Sequence, residues 1–117
     1  MTGYLTTHVL DTARGHPAEG MIIDLYRIEG EKRVHIRQMV TNGDGRTDGP
    51  ILPQKDFVIG IYELEFQTGA YFDSILVPAE SPRFLDLVPI RFGMSEQSHY
   101  HVPLLLSPFG YGTYRGS

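Results

Sequence analysis

Apolar and polar residues alternate over two stretches of this chain. In 33–41, Val34, Ile36 and Val40 fall on one side, with His35, Arg37 and Thr41 on the other. In 61–67, Tyr62, Leu64 and Phe66 oppose Glu63, Glu65 and Gln67. A period of two marks a strand with one face on a core and one toward water. Shorter runs predict further strands at 5–11, 21–28, 87–92, 99–105 and 111–115. Between 41 and 48, Asn42-Gly43-Asp44-Gly45 holds overlapping Asn-Gly and Asp-Gly pairs, residues that accept the left-handed backbone of a tight reversal. Only 68–76 has helical spacing. There Phe72 and Leu76 are four apart, as are Tyr71 and Ile75, which predicts one apolar stripe. Short strands, frequent turns and one short helix predict an all-β, two-sheet β-sandwich. No repeat, linker or low-complexity segment is visible, so 1–117 reads as one domain.

Composition narrows the chemistry. A chain of 117 residues can bury a core without staples. Ten basic residues against 14 acidic ones give a net charge of −4, and no basic stripe is visible, which argues against nucleic acid or an anionic membrane as partner. The absence of cysteine removes Cys nucleophiles, Cys-ligated zinc, iron–sulfur clusters and disulfides. The first residues lack a basic stretch followed by an apolar run, and Tyr114-Arg115-Gly116-Ser117 is not a Ser-Lys-Leu address. The expectation is a soluble, cytoplasmic protein.

Common enzyme signatures are missing: no Gly-x-Ser-x-Gly elbow, no His-Glu-x-x-His, no phosphate-binding P-loop. Gly110, Gly112 and Gly116 miss the dinucleotide spacing and precede no helical pattern. What remains is a set of histidines and one arginine. His99 and His101 flank Tyr100 in a strand pattern, so both imidazoles share one face while Tyr100, Val102 and Leu104 share the other. His8 sits inside the first predicted strand. Imidazole is the side chain best suited to moving protons near neutral pH. Arg46 follows the glycine-rich turn, where a fixed planar cation can hold an anionic ligand. His16 and His35 read as loop or solvent-face residues. Taken singly, a strand histidine is more often a surface group, and His-x-His is also a weak zinc motif. Spacing alone supports a β-domain with a candidate histidine site.

Three blocks carry more information. They are Thr7-His8-Val9-Leu10-Asp11-Thr12-Ala13-Arg14-Gly15-His16-Pro17-Ala18, then Thr41-Asn42-Gly43-Asp44-Gly45-Arg46 with Gly60-Ile61-Tyr62-Glu63-Leu64, and finally His99-Tyr100-His101-Val102-Pro103-Leu104-Leu105-Leu106-Ser107-Pro108 running to Tyr114-Arg115-Gly116-Ser117. Together they resemble the 5-hydroxyisourate hydrolases, the transthyretin-related proteins, over essentially the whole chain. The terminal Tyr-Arg-Gly-Ser and the histidines before it match the enzymes, whereas transthyretin lacks both. The resemblance implies a transthyretin-like sandwich and a metal-independent hydrolase with no cofactor. The implied reaction opens 5-hydroxyisourate to 2-oxo-4-hydroxy-4-carboxy-5-ureidoimidazoline in urate and purine breakdown. It places catalytic roles on His8, Arg46, His101 and Ser117, and substrate binding on His8, Arg46 and Tyr114, with His99 as a supporting neighbour. It further implies a homotetramer, a dimer of dimers, with sites between dimers. Two departures stand out: Pro78–Asp86 does not align, and Phe109 and Gly112 replace residues often Tyr and Ser. The alternative is a non-enzymatic transthyretin-like carrier of a small ligand, against which the tail speaks.

Overall fold

The computed structural model describes residues 2–116, and in it two four-stranded sheets face each other. The first has the order β2-β1-β7-β8, built from β1 (Tyr4–Asp11), β2 (His16–Pro17), β7 (His99–Ser107) and β8 (Gly110–Thr113). The second has the order β4-β3-β5-β6, from β3 (Ile22–Glu29), β4 (Lys32–Val40), β5 (Gly60–Gln67) and β6 (Leu87–Met94). A short helix, α1 (Thr68–Ser74), follows β5 directly. All named strand pairs are antiparallel except one: β1 runs parallel to β7.

The alternation in β5 is realised as read. Tyr62, Leu64 and Phe66 are fully buried between the sheets with Leu5, Val9, Ile23, Leu25 and Leu104. Burying each of the two aromatic rings stabilises the fold by roughly 2–3 kcal/mol. Glu63, on the opposite face, is nevertheless buried. Arg33 and Arg91 lie against its two carboxylate oxygens at 2.8 and 3.1 Å, so the polar face is roofed by its own ion pairs.

The alternation in β4 is not realised as read. Leu25 pairs with Arg37 but Tyr26 pairs with His35, leaving Ile36 as an extra residue. A bulge of this kind reverses the side-chain parity beyond it. Val34 and Val40 therefore face opposite sides, and both are exposed on this edge strand. His35 is not an idle solvent-face group either. Its Nε2 lies 2.9 Å from the carboxylate of buried Asp24, which also accepts from Gln38 and Gln67. Burial pushes the Asp24 carboxyl up, but these three hydrogen bonds outweigh it and hold the group below its ordinary value.

The helix is shorter than its apolar spacing suggested. Tyr71 and Phe72 are buried as expected, and the Tyr71 hydroxyl donates to buried Asp11 at 2.8 Å, tying the helix to β1. The helix stops at Ser74 because Leu76 turns left-handed, at φ 61°. Val77 N–H then reaches back to the Phe72 carbonyl and Leu76 N–H to the Asp73 carbonyl, closing the carbonyl end. Leu76 points into solvent instead of joining the stripe.

Candidate active site

The parallel pairing of β1 and β7 builds the site. Its register sets Tyr4 beside His99, Thr6 beside His101 and His8 beside Pro103. Leu5 and Val9 point inward and are fully buried, so Tyr4, Thr6 and His8 share the outer face. Along β7, Tyr100, Val102 and Leu104 are buried while His99 and His101 are half-buried on that same outer face, as the alternation predicted. The His8 and His101 rings stand 6.2 Å apart between centroids, tilted by 36°. The His99 ring lies flat on Tyr4, 4.1 Å away with 7° between planes. Between the two β7 histidines sits the Thr6 hydroxyl, 2.7 Å from His99 Nε2 and 2.8 Å from His101 Nδ1.

Arg46 joins this group through the turn before it. The Asn42 side-chain oxygen accepts from the N–H groups of Asp44 and Arg46, and Gly45 N–H returns to the Asn42 carbonyl. This reversal does not pair two strands of one sheet. It hands the chain across to β1, where Arg46 bridges to His8 and the Gly45 carbonyl accepts from Val9 N–H at 2.9 Å. Gly45 adopts φ 75°, and a Cβ there would sit on the Val9 carbonyl oxygen. Gly45→Ala should therefore destabilise by about 2 kcal/mol or more, from left-handed strain plus the collision. It should also impair the site by displacing Arg46. Thermal melts alongside Gly49→Ala, whose Cβ would meet nothing within 4 Å, check this. An unshifted midpoint for Gly45→Ala would contradict the geometry.

Charge sets the protonation state. Burial, then the neighbouring Arg46 charge, lowers the His8 pKa, with the Asp44 backbone and carboxylate opposing. Burial, then Arg46, His8 and His99, lowers that of His101. Both rings are thus held neutral at pH 7, with lone pairs available. Beside them Thr6, Thr7, Arg46, Thr47, Gly49 and Pro50 line a recess of about 180 Å³. Among the described residues, no group of three His, Asp or Glu side chains is placed to hold a metal ion.

The tail approaches the same place. Gly116 N–H donates to the His101 carbonyl at 2.7 Å, and a Cβ on Gly116 would lie 2.6 Å from His101 Cδ2. Only glycine lets the tail lie so close to that ring. Ser117, the next residue, is outside the described residues. Tyr114 lies between Thr113, which pairs with Leu104, and Gly116, which bridges to His101. It lines a cleft with Tyr100, Val102, Ile90 and Phe92, on the inward side of β7 and against the edge of the other sheet. Of the expected residues, His8, Arg46 and His101 converge. Thr6 and Tyr4 join them without having been anticipated. Alternation would have put both on the face of His8, but only the register with β7 reveals what they touch.

A family model described as the HIUase/Transthyretin family matches residues 5–116. The chain belongs to that family. It is 60% identical over 117 residues to 5-hydroxyisourate hydrolase 2 of Rhizobium meliloti (strain 1021), covering 99% of this chain and 98% of that one. The solved structure of Klebsiella pneumoniae 5-hydroxyisourate hydrolase matches with a TM-score of 0.82 at 34% identity, covering 99% of this chain and 100% of that one. Sea bream transthyretin in complex with thyroxine matches with a TM-score of 0.85 at 26% identity, over 96% of this chain and 93% of that one. Backbone likeness is therefore equal for both branches of the family, and what separates them must lie in the side chains.

Proposed function

We propose that this chain hydrolyses 5-hydroxyisourate, opening its six-membered ring to 2-oxo-4-hydroxy-4-carboxy-5-ureidoimidazoline in the breakdown of urate. One observation carries the reading: two neutral imidazoles 6.2 Å apart stand on an open face with an arginine beside them. Adding water to a ring carbonyl and breaking a C–N bond needs a base for water, a cation for the developing oxyanion and an acid for the leaving nitrogen. His8, next to Arg46, takes the proton from water. Arg46 holds the anionic rim of the planar substrate and faces the oxyanion. His101 delivers a proton to the leaving nitrogen. Ser117 relays or orients the attacking water, a role supported by its covalent neighbour Gly116 lying against His101. Tyr114 binds the substrate from the tail, two residues before Gly116, which lies against His101. Water is the nucleophile, so no covalent intermediate and no cofactor enter the scheme.

The proposal treats 1–117 as one domain and extends to a homotetramer, a dimer of dimers. Support comes from the outer face itself: His8 and His101 are only half-buried there, which leaves a substrate resting on them largely uncovered unless another copy roofs it. Among the described residues no helix is long and apolar enough to cross a membrane, and a cytoplasmic location belongs to the same proposal. The direct test is a spectrophotometric assay with 5-hydroxyisourate generated in place from urate by urate oxidase, in buffer containing a metal chelator. Decay of the intermediate should be accelerated well beyond its spontaneous rate. Decay at the spontaneous rate would overturn the assignment.

A further inference from the structure

Thr6 connects two histidines that are 93 and 95 residues away from it in sequence, through contacts of 2.7 and 2.8 Å. A hydroxyl has one proton to give and lone pairs with which to accept. Two bare ring nitrogens cannot both be satisfied by it, so the protonation of one ring constrains the other. We infer that Thr6 is a positioning residue that links His99 and His101 into one proton-storing relay, with His99 holding the charge and His101 presenting the proton. This rests on the hydrolase reading for its use, but not for its existence.

The relay has two balanced forms. In the discharged form both rings are neutral. His101 Nδ1–H donates to Thr6 Oγ1, the Thr6 hydroxyl donates to His99 Nε2, and His101 Nε2 is bare. When a proton arrives at His101 Nε2, the Nδ1 proton moves to Oγ1 as the hydroxyl proton moves to His99 Nε2. His101 is then neutral with its proton on Nε2, and His99 is the imidazolium. Only the incoming proton has been added, and the positive charge has moved one ring away. Run backwards, the same shift recharges His101 Nδ1 while its Nε2 proton leaves for the substrate nitrogen.

The surroundings favour this direction. His101 is crowded by the positive Arg46 and by His8, and its burial disfavours a cation. His99 lies face to face on the Tyr4 ring at 4.1 Å, and the electron-rich face of an aromatic ring attracts a cation. The titratable and charged groups facing the pair are Tyr4 and His8 from β1 and Arg46 from the turn, with Asp44 near His8. No carboxylate holds either β7 ring in an ion pair among the described residues. The threonine hydroxyl is what the two rings share.

The test compares wild type with Thr6→Val, which keeps the shape and removes the hydroxyl, and with Thr6→Ser, which restores it. Ring-nitrogen NMR on the free protein across a pH titration should show the His99 and His101 signals moving together in wild type and Thr6→Ser. They should move separately in Thr6→Val. In the hydrolysis assay Thr6→Val should lower kcat by about tenfold or more, the scale of one hydrogen bond to a charged group, with KM little changed. It should also alter the acid limb of the pH profile. Thr6→Ser should recover most of the loss, and Thr6→Val combined with His99→Phe should be little worse than either alone, as members of one chain behave. Independent titration of the two rings in wild type, or equal failure of Thr6→Ser and Thr6→Val, would overturn the relay. A wild type that does not hydrolyse 5-hydroxyisourate would sink the functional reading, while the NMR comparison would still decide the relay.

Discussion

His8→Ala and His101→Ala should each reduce kcat by about 10² or more, the usual scale for removing a positioned acid or base. Neither ring carries the core: both are half-buried on the outer face of β1 and β7, while the inward residues Leu5, Val9, Tyr100 and Leu104 hold the sheets together. Melting temperatures should therefore move little, and the loss should be chemical. The sign of the pH dependence follows from the lowered pKa values of both rings. A base must be unprotonated, so activity should be full at neutral pH. On the acid side it should fall as pH drops through the depressed His8 value, below the ordinary imidazole value of about 6.5. His16→Ala is the fitting control, since that ring is exposed on β2 and hydrogen-bonds its neighbour's carbonyl. His35→Ala is not, because it uncovers the buried Asp24 carboxylate. If His16→Ala slowed the enzyme as much as the two site changes, the assignment would fail.

Deleting residues 114–117 should abolish measurable hydrolysis while leaving most of the core folded. Terminal residues are commonly dispensable unless tied down. Here the tie is continuous along β7. Thr113 donates to the Pro103 carbonyl at 2.7 Å, Arg115 lies 4.1 Å over the Tyr100 ring, and Gly116 bonds the His101 backbone. Losing the cation–π contact and one backbone hydrogen bond should cost roughly 2 kcal/mol of stability. That is too little to unfold the sandwich but enough to release the His101 ring on the side Gly116 covers. Circular dichroism and the hydrolysis assay on the same sample separate the two effects. A truncated protein with near-normal turnover would remove Tyr114 and Ser117 from the site.

The strands were legible wherever alternation continued without interruption, as in Tyr62, Leu64 and Phe66. It failed in β4, since a bulge at Ile36 changes parity without leaving a mark in composition. The two-residue β2 was invisible because its pairing with Leu10 and Asp11 is set by a turn, not by a pattern. The end of α1 was misplaced because Leu76 adopts a conformation that spacing does not encode. Within the site, the sharing of one face by His99 and His101 was readable from their separation by one residue. Their meeting with His8 and Arg46 was not derivable from spacing and came from resemblance. Thr6 escaped notice because a threonine in a strand looks like β-propensity, and its role depends on a pairing partner 95 residues away.

That pairing has a consequence for how the protein comes into being. The parallel contact of β1 with β7 brings Tyr4–Asp11 against His99–Leu106, the first strand made against nearly the last. Emerging from a ribosome, β1 can pair early with β2 but must wait for almost the entire chain before β7 is available to it. Such distant closure is entropically slow compared with the hairpins of the other sheet, whose strands meet their neighbours sooner. His8 meets His99 and His101 only after β7 is made, and the tail that bonds to His101 is made later still, so catalytic competence should be the last property this chain acquires.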